Sequence, residues 1–253
     1  MSLSFSPHFA DLRNEISQQL GDSWRYYSGD LDLLIHLRRL GFQPSMIYDI
    51  GASNTVWSVM ASLVFSQAQF ELFEPLAEIS DAYNKKKRTH PAIREFLANK
   101  TYRIHPIALG AFNGTTEFHH FEGDAGSTSL EMDHAPANAR KLKIPMRRLD
   151  DYVRDQEILP PDLIKMDTQG AEAEIIKGGA NAFRQASAVF IECWLAKGYG
   201  KRTPLLATIA NLLSKFGFDL FDFGDEFRAD DGTLQAKDVL FLKRDIPLIP
   251  VKV

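Results

Sequence analysis

The sequence predicts an α/β fold: a mostly parallel, doubly wound sheet that ends in an antiparallel hairpin, with a helical cap in front. Three observations predict it. From Met46 onward, short apolar runs alternate with amphipathic stretches, which implies parallel pairing through right-handed crossovers. The last two apolar runs, "FDLFDF" and "DVLFLKR", have no helix between them, so they pair antiparallel at the sheet edge. Residues 1–45 carry helical spacing and read as an N-terminal cap on a main domain of residues 46–253.

The elements follow in order. In the cap, "DLDLLIHLRRLGF" sets Leu31, Leu34, Ile35, Leu37 and Leu40 at helical spacing; Gly41 stops the helix and Pro44 follows. "MIYDI" is the first strand and "NTVWSVMASLVF" a helix. "AQFELFE" is the second strand, followed by a helix over "AEISDAYNKKKR". "YRIHPIAL" is the third strand. "TTEFHHF" and "KLKIPMRRL" break the rhythm as extra strands around a polar loop. "LIKMD" is a strand, "AEAEIIKGGANAF" a helix, "SAVFIECW" a strand and "PLLATIANLLSKFG" a helix before the hairpin.

Composition narrows the function classes. The chain has 253 residues, 45% of them hydrophobic, enough for one large core. A net charge of −4 gives no electrostatic footprint for nucleic acid. The single cysteine, Cys193, excludes an internal disulfide and sits in an apolar run, as a buried thiol would. The longest nearly apolar run, Val56–Phe65, is too short to span a bilayer, and the first residues lack the order of a signal peptide. The expectation is a soluble cytoplasmic protein with a small-molecule or saccharide partner; association into a homo-oligomer stays open.

Ligands of open parallel sheets bind beyond the carboxyl ends of the strands. The residues there are Asp49, Glu74, the pair Ala108 and Leu109, Asp167 and Glu192. Four of these five strand ends carry a carboxylate, although strands are depleted in Asp and Glu. After Asp49 comes a turn, Gly51-Ala52-Ser53-Asn54, in which Gly51 permits a sharp bend and Ser53 or Asn54 can cap the next helix. Glu74, followed by Pro75, lies 25 positions after Asp49, close to the spacing that sets an acid on a ribose diol. A dinucleotide pyrophosphate needs a loop with more glycines than this one. S-adenosylmethionine has no phosphate to cradle, so a turn with one glycine suits it better.

These blocks resemble the FkbM-type methyltransferases, S-adenosylmethionine-dependent enzymes that mostly methylate hydroxyls. "YDIGASNTVWS" resembles the family's first glycine motif, with Thr55 where a glycine is usual. "FELFEP" resembles its second motif, "IHPIALGAFNGTTEFH" its third strand and turn, and "GSTSL" its serine-rich loop. "LIKMDTQGAEAEIIKGG" is the most specific block. The resemblance implies a Rossmann-like class I methyltransferase fold with a seven-stranded sheet. It implies a cofactor site of Asp49, Gly51, Ala52, Ser53, Asn54, Glu74, Pro75, Ala108, Leu109, Ser127, Thr128, Ser129 and Asp167.

Transfer of a methyl group from a sulfonium to a hydroxyl is mainly a matter of positioning, with a base or metal ion to take the proton. The candidates are Asp167, Glu192, His105, His119 and His120; Asp167, Glu192 and His119 head the catalytic set. Only one of His119 and His120 can face a site on a strand. Lys165 and Asp167 fall on the same side of theirs. Glu172 and Glu174 suit the first turn of the next helix, where acids favour the dipole. Asp167 and Glu192 could also hold a divalent cation, although two carboxylates make a thin metal site. Trp194 and Tyr199 offer either acceptor stacking or core packing. The expected activity is S-adenosylmethionine-dependent O-methylation of a saccharide or secondary metabolite. The alternatives are a nicotinamide-dependent oxidoreductase, which lacks its further glycines here, and a non-catalytic S-adenosylmethionine-binding module.

Overall fold

The computed structural model describes residues 7–21, 27–77, 91–98, 102–120, 140–198 and 200–248. The cap forms α1 (Pro7–Leu20) and α2 (Ser28–Arg39), and Gly41 ends it at φ +85°. Then come β1 (Met46–Ile50), α3 (Val56–Val64), β2 (Gln69–Phe73), α4 (Pro91–Ala98), β3 (Tyr102–His105), β4 (Ala108–Gly110), β5 (Gly114–His120), β6 (Arg140–Arg148) and α5 (Leu149–Asp155). The chain closes with β7 (Leu163–Met166), α6 (Glu172–Gly178), α7 (Ala180–Gln185), β8 (Ala188–Trp194), α8 (Leu206–Ser214), β9 (Phe218–Arg228) and β10 (Leu234–Lys243).

The main sheet has seven strands in the order β3-β2-β1-β7-β8-β10-β9. All pairs from β3 to β8 are parallel; β10 runs antiparallel to both β8 and β9, as the hairpin reading requires. The strand order reverses direction between β1 and β7, and that is the crevice where such sheets bind ligands. A second sheet of three strands, β4-β6-β5, stands beside it.

The third strand of the sequence reading is two strands. Pro106 has no N–H to give to the ladder, so β3 stops at His105 and the chain restarts as β4 in the second sheet. Ala108 and Leu109 therefore belong to β4 and do not end a strand of the main sheet. The helix expected over "AEAEIIKGGANAF" breaks at Gly179 into α6 and α7, and β9 runs on to Arg228. The expected helix after the second strand falls almost wholly outside the described residues.

Both faces of the sheet are covered. Ile47, Phe190 and Leu240 join Val56 and Val59 of α3 and Leu31, Leu34 and Leu37 of α2 in one apolar cluster. Tyr48, Ile50 and Phe73 join Ile175, Phe183 and Ile209 in another on the opposite face. The cap thus shares the core of the main domain. A reciprocal clasp also ties it down. Asp225 Oδ2 on β9 accepts from the Gly29 and Asp30 N–H groups at 2.8 and 3.0 Å, and Asp30 Oδ1 accepts from the Asp225 N–H at 3.1 Å. No described helix is long and apolar enough to cross a membrane.

Candidate functional site

A cavity of about 820 Å³, counting its mouth, opens at the carboxyl ends of β1 and β7. Its walls come from the two turns after those strands, from β2, from β4 and β5 of the second sheet, and from Tyr27 of the cap. The volume suits a cofactor-sized ligand.

The first turn explains the single glycine. Gly51 has φ +79°, and a side chain there would meet the Asp167 carbonyl oxygen 1.9 Å from its Cβ. Only a bare α-carbon lets the β1 turn pass this close to the β7 turn. The Gly51 and Ala52 N–H groups donate to the Phe73 carbonyl at 2.9 and 3.3 Å, which carries the β1–β2 ladder into the loop. Asn54 Oδ1 accepts from the Val56 N–H at 3.1 Å, so Asn54 supports the start of α3. Ser53 and Thr55 both take left-handed conformations, φ +43° and +65°. For a buried, β-branched threonine that conformation is strained. The Thr55 hydroxyl donates to the Asn54 carbonyl at 2.6 Å.

Of the sequence-predicted cofactor residues, Gly51, Ala52, Ser53, Asn54, Glu74, Pro75, Ala108, Leu109 and Asp167 line the cavity. Ser127, Thr128 and Ser129 lie outside the described residues, as does Tyr199. Asp49 is not in the wall. Its carboxylate is fully buried on the α3 side of the sheet, where Oδ2 accepts from Ser58 Oγ and Oδ1 faces Lys165 Nζ at 3.2 Å. Glu74 is buried in the wall; its oxygens accept from the Ser53 and Leu76 N–H groups at 2.8 and 2.9 Å. An apolar wall of Phe73, Ile107, Leu109 and Phe118 lies beside it. The indole of Trp57 also lines the cavity, and its buried N–H has no partner.

Lys165 is the one cation among the described lining residues. Its ammonium touches the Gly51 carbonyl and Asp49 Oδ1, both at 3.2 Å, and lies 3.8 Å from Asp167 Oδ2. Burial alone would lower its proton affinity, but Asp49 and Asp167 outweigh burial and hold Lys165 above its usual range. Asp167 follows β7 directly. Gln169, at φ +55°, donates from Nε2 to Asp167 Oδ1 at 2.6 Å and to Glu192 Oε2 at 3.3 Å. Glu172 braces this turn from inside. Its Oε1 accepts from the Thr168 and Gly170 N–H groups at 3.1 and 3.0 Å and from the Thr168 hydroxyl at 3.0 Å. Glu174 is exposed and pairs with Lys177.

Acids gather behind this turn. Burial first, then Asp167 and Asp238, pushes the Glu192 carboxyl well above the usual carboxylate range. Asp238 pairs with Glu192 across β8 and β10 and is pushed up to about 7, by burial and then by Asp167. Burial and Asp238 raise Asp30 well above its usual range. Burial raises the Tyr27 phenol to about 12, with Asp167, Asp30 and Asp238 adding to it against Lys165.

The histidines stand elsewhere. His105 Nε2 meets Glu71 Oε2 at 2.7 Å and Nδ1 meets the Tyr152 hydroxyl at 3.1 Å, with its ring stacked on Phe73. Phe118 lines the cavity, so strand alternation gives its face to His120 and the opposite face to His119. His119 is buried, and the structure does not bring it to Asp167 and Glu192. Trp194 packs with Ala236 and Leu205, away from the cavity. Cys193 is buried, and burial raises its thiol well above the usual range.

The residues fit S-adenosylmethionine. The Glu74 carboxylate, the apolar wall and the unpartnered Trp57 N–H offer partners for a ribose, an adenine and a polar tail. Tyr27, Trp57, Lys165 and Gln169 were not among the residues picked out for the cofactor or for catalysis from sequence. Only Lys165, which shares a strand face with Asp167, left a signal there.

A family model described as the methyltransferase FkbM domain matches residues 49–220. A stretch of 127 residues is 28% identical to the 2-O-methyltransferase NoeI of Sinorhizobium fredii, covering 45% of this chain and 52% of that protein. The chain thus spans about half the length of this curated relative. Among solved structures, an O-methyltransferase from Bacillus cereus in complex with SAH aligns over 95% of this chain and 93% of its own at 10% identity, with a TM-score of 0.46. The precorrin-6y C5,15-methyltransferase of Geobacter metallireducens aligns over 84% of this chain and 87% of its own at 14% identity, with a TM-score of 0.44. At that likeness neither speaks to activity or acceptor. With the family model spanning most of the main domain, the chain belongs to the FkbM family of S-adenosylmethionine-dependent methyltransferases.

Proposed function

We propose that this methyltransferase methylates a hydroxyl of a saccharide or secondary metabolite, with Asp167 taking up the hydroxyl proton. The observation that carries the reading is the Asp167 carboxylate. It lines the cavity and faces Gln169 Nε2 through one oxygen and the Lys165 ammonium through the other. The two partners fix the orientation of this carboxylate at the cavity wall. The name of NoeI, a 2-O-methyltransferase, points the same way.

When bound, S-adenosylmethionine supplies an electrophilic methyl on a sulfonium. The chain does the rest. Glu74 and the first turn would hold the ligand, and the apolar wall would exclude water from its base. Asp167 would orient the acceptor hydroxyl and receive its proton, while the sulfonium of a bound cofactor would supply the leaving group. Positioning supplies most of the rate, and the base adds about 10²–10⁴-fold.

Calorimetry with S-adenosylhomocysteine and with NADH tests the cofactor assignment. Binding of the first alone is expected, and binding of NADH alone would refute it. Glu74→Ala should weaken S-adenosylhomocysteine about 10- to 100-fold, the loss of a charged hydrogen-bond acceptor. Asp167→Asn should keep that affinity and lower turnover about 10²-fold or more. A fully active variant removes Asp167 from the chemistry.

A further inference from the structure

The β7 and β8 ends place two carboxylates on neighbouring parallel strands. Met166 is paired with Ile191, so Asp167 and Glu192 follow side by side. Two acids this close need a proton, a cation or a hydrogen-bond donor between them. We propose that Gln169 is a positioning residue whose amide nitrogen stands between Asp167 and Glu192 in the place of a divalent cation. The inference rests on Asp167 being the proton acceptor.

Three features carry it. The first is the donor itself. An amide nitrogen has two protons and no lone pair to offer, and Gln169 Nε2 reaches Asp167 Oδ1 at 2.6 Å and Glu192 Oε2 at 3.3 Å. It gives one proton to each acid, at hydrogen-bond rather than coordination lengths.

The second is the backbone. Gln169 is a non-glycine residue at φ +55°, and Gly170 follows at φ +103°. A left-handed glutamine persists only where its surroundings demand it. Here Glu172 clamps the N–H groups on either side, at Thr168 and Gly170. The turn is thus built to aim this one side chain between the acids.

The third is charge. Lys165 faces the other oxygen of Asp167, so Asp167 has a cation on one side and a neutral amide donor on the other. Burial, and then Asp167 and Asp238, raise the Glu192 carboxyl well above the usual carboxylate range, and a metal binds only the deprotonated form of a carboxylate. Among the described residues, no three His, Cys, Asp or Glu side chains are arranged to hold a metal ion.

The test is titration of the full chain with Mn²⁺ at neutral pH, followed by the loss of the free-ion signal in electron paramagnetic resonance. Wild type, Gln169→Glu and the double variant Gln169→Glu/Glu192→Gln are compared. Wild type should show no Mn²⁺ binding that depends on Asp167. Gln169→Glu supplies a third carboxylate in place of the donor and should bind Mn²⁺ at least about tenfold more tightly, since affinity follows ligand charge. The double variant should lose that gain. A merely structural glutamine would not create a cation site on replacement.

Sub-millimolar Mn²⁺ binding by wild type that disappears in Asp167→Asn overturns the proposal, and it needs no variant at position 169. Equal Mn²⁺ affinity in wild type and Gln169→Glu overturns it as well. S-adenosylhomocysteine calorimetry on the same samples keeps the two readings apart. A wild type that does not bind S-adenosylhomocysteine sinks the cofactor assignment, whereas normal binding with the wrong Mn²⁺ result sinks only the role of Gln169.

Discussion

Replacing Asp238 by asparagine should stabilise this protein at alkaline pH and leave it nearly unchanged in acid. Asp238 lies on β10 opposite Glu192, with Asp30 of α2 in hydrogen-bond contact. Burial and then Asp167 push its carboxyl from 3.8 to about 7, against the pull of Lys165. A carboxyl raised in this way binds its proton more tightly in the folded chain than in the unfolded one. The stability it contributes is complete below the unfolded value and is lost as pH rises through about 7. The shift corresponds to about 4 kcal/mol between the two protonation states, lost at up to about 1.4 kcal/mol per pH unit. Asp238 keeps some solvent contact, so about 4 kcal/mol is a ceiling. Asparagine is neutral at every pH and can still hydrogen-bond to Asp30. The assay is urea unfolding of both proteins from about pH 4 to about pH 8, with the stability difference plotted against pH. The difference should be close to zero at the acid end and favour the variant by a few kcal/mol at the alkaline end. A difference that stays flat, or that grows as pH falls, refutes the reasoning.

Gly51→Ala puts a Cβ at 1.9 Å from the Asp167 carbonyl oxygen in a left-handed backbone. The conformation costs about 1–2 kcal/mol and the overlap about 1–3 more. Calorimetric melting should drop by roughly 5–15 °C, and an unchanged midpoint would remove the close approach of the two turns. Glu172→Ala strips the acceptor from two backbone N–H groups and one hydroxyl. Leaving such groups buried costs about 1–3 kcal/mol each, so a loss of at least about 3 kcal/mol is expected, with Glu172→Gln close to wild type. Equal losses in the two variants, measured by urea midpoints, would show that Glu172 does not brace the turn by accepting hydrogen bonds.

The strands were legible where both faces are buried. "MIYDI", "LIKMD" and "SAVFIECW" are largely apolar because nearly every position is buried, and all three form the centre of the sheet. The third strand was not legible because Pro106 leaves the apolar run unbroken while removing one ladder donor, which is enough to send β4 to another sheet. The seven residues of α5 passed unseen because so short a helix leaves little periodic signal. In the site, strand-end position led to Asp167 and Glu74 but did not settle which way a side chain points. Asp49 lies inside β1, one residue before its end, and alternation turns it toward Ser58 and Lys165. Tyr27 reaches the cavity from the cap, through a clasp between residues 195 positions apart, and no local pattern reports such a contact.

Strain and charge in this molecule concentrate where the two readings of the site meet. Four described non-glycine residues have positive φ, and three of them, Ser53, Thr55 and Gln169, sit in the two turns that border the cavity. Those turns also bring Asp167 within reach of Glu192 and Lys165, and Asp30 and Asp238 crowd in from the cap and the hairpin. A fold selected for stability alone would place glycine at the strained positions and separate the acids. Here the opposite arrangement is held by deliberate bracing: Glu172 under one turn, Asn54 and Glu74 at the other, and the Asp30–Asp225 clasp behind them. Interactions of that kind order the two turns before a ligand arrives, so the groups that line the cavity need little rearrangement on binding, which is the structural meaning of preorganisation.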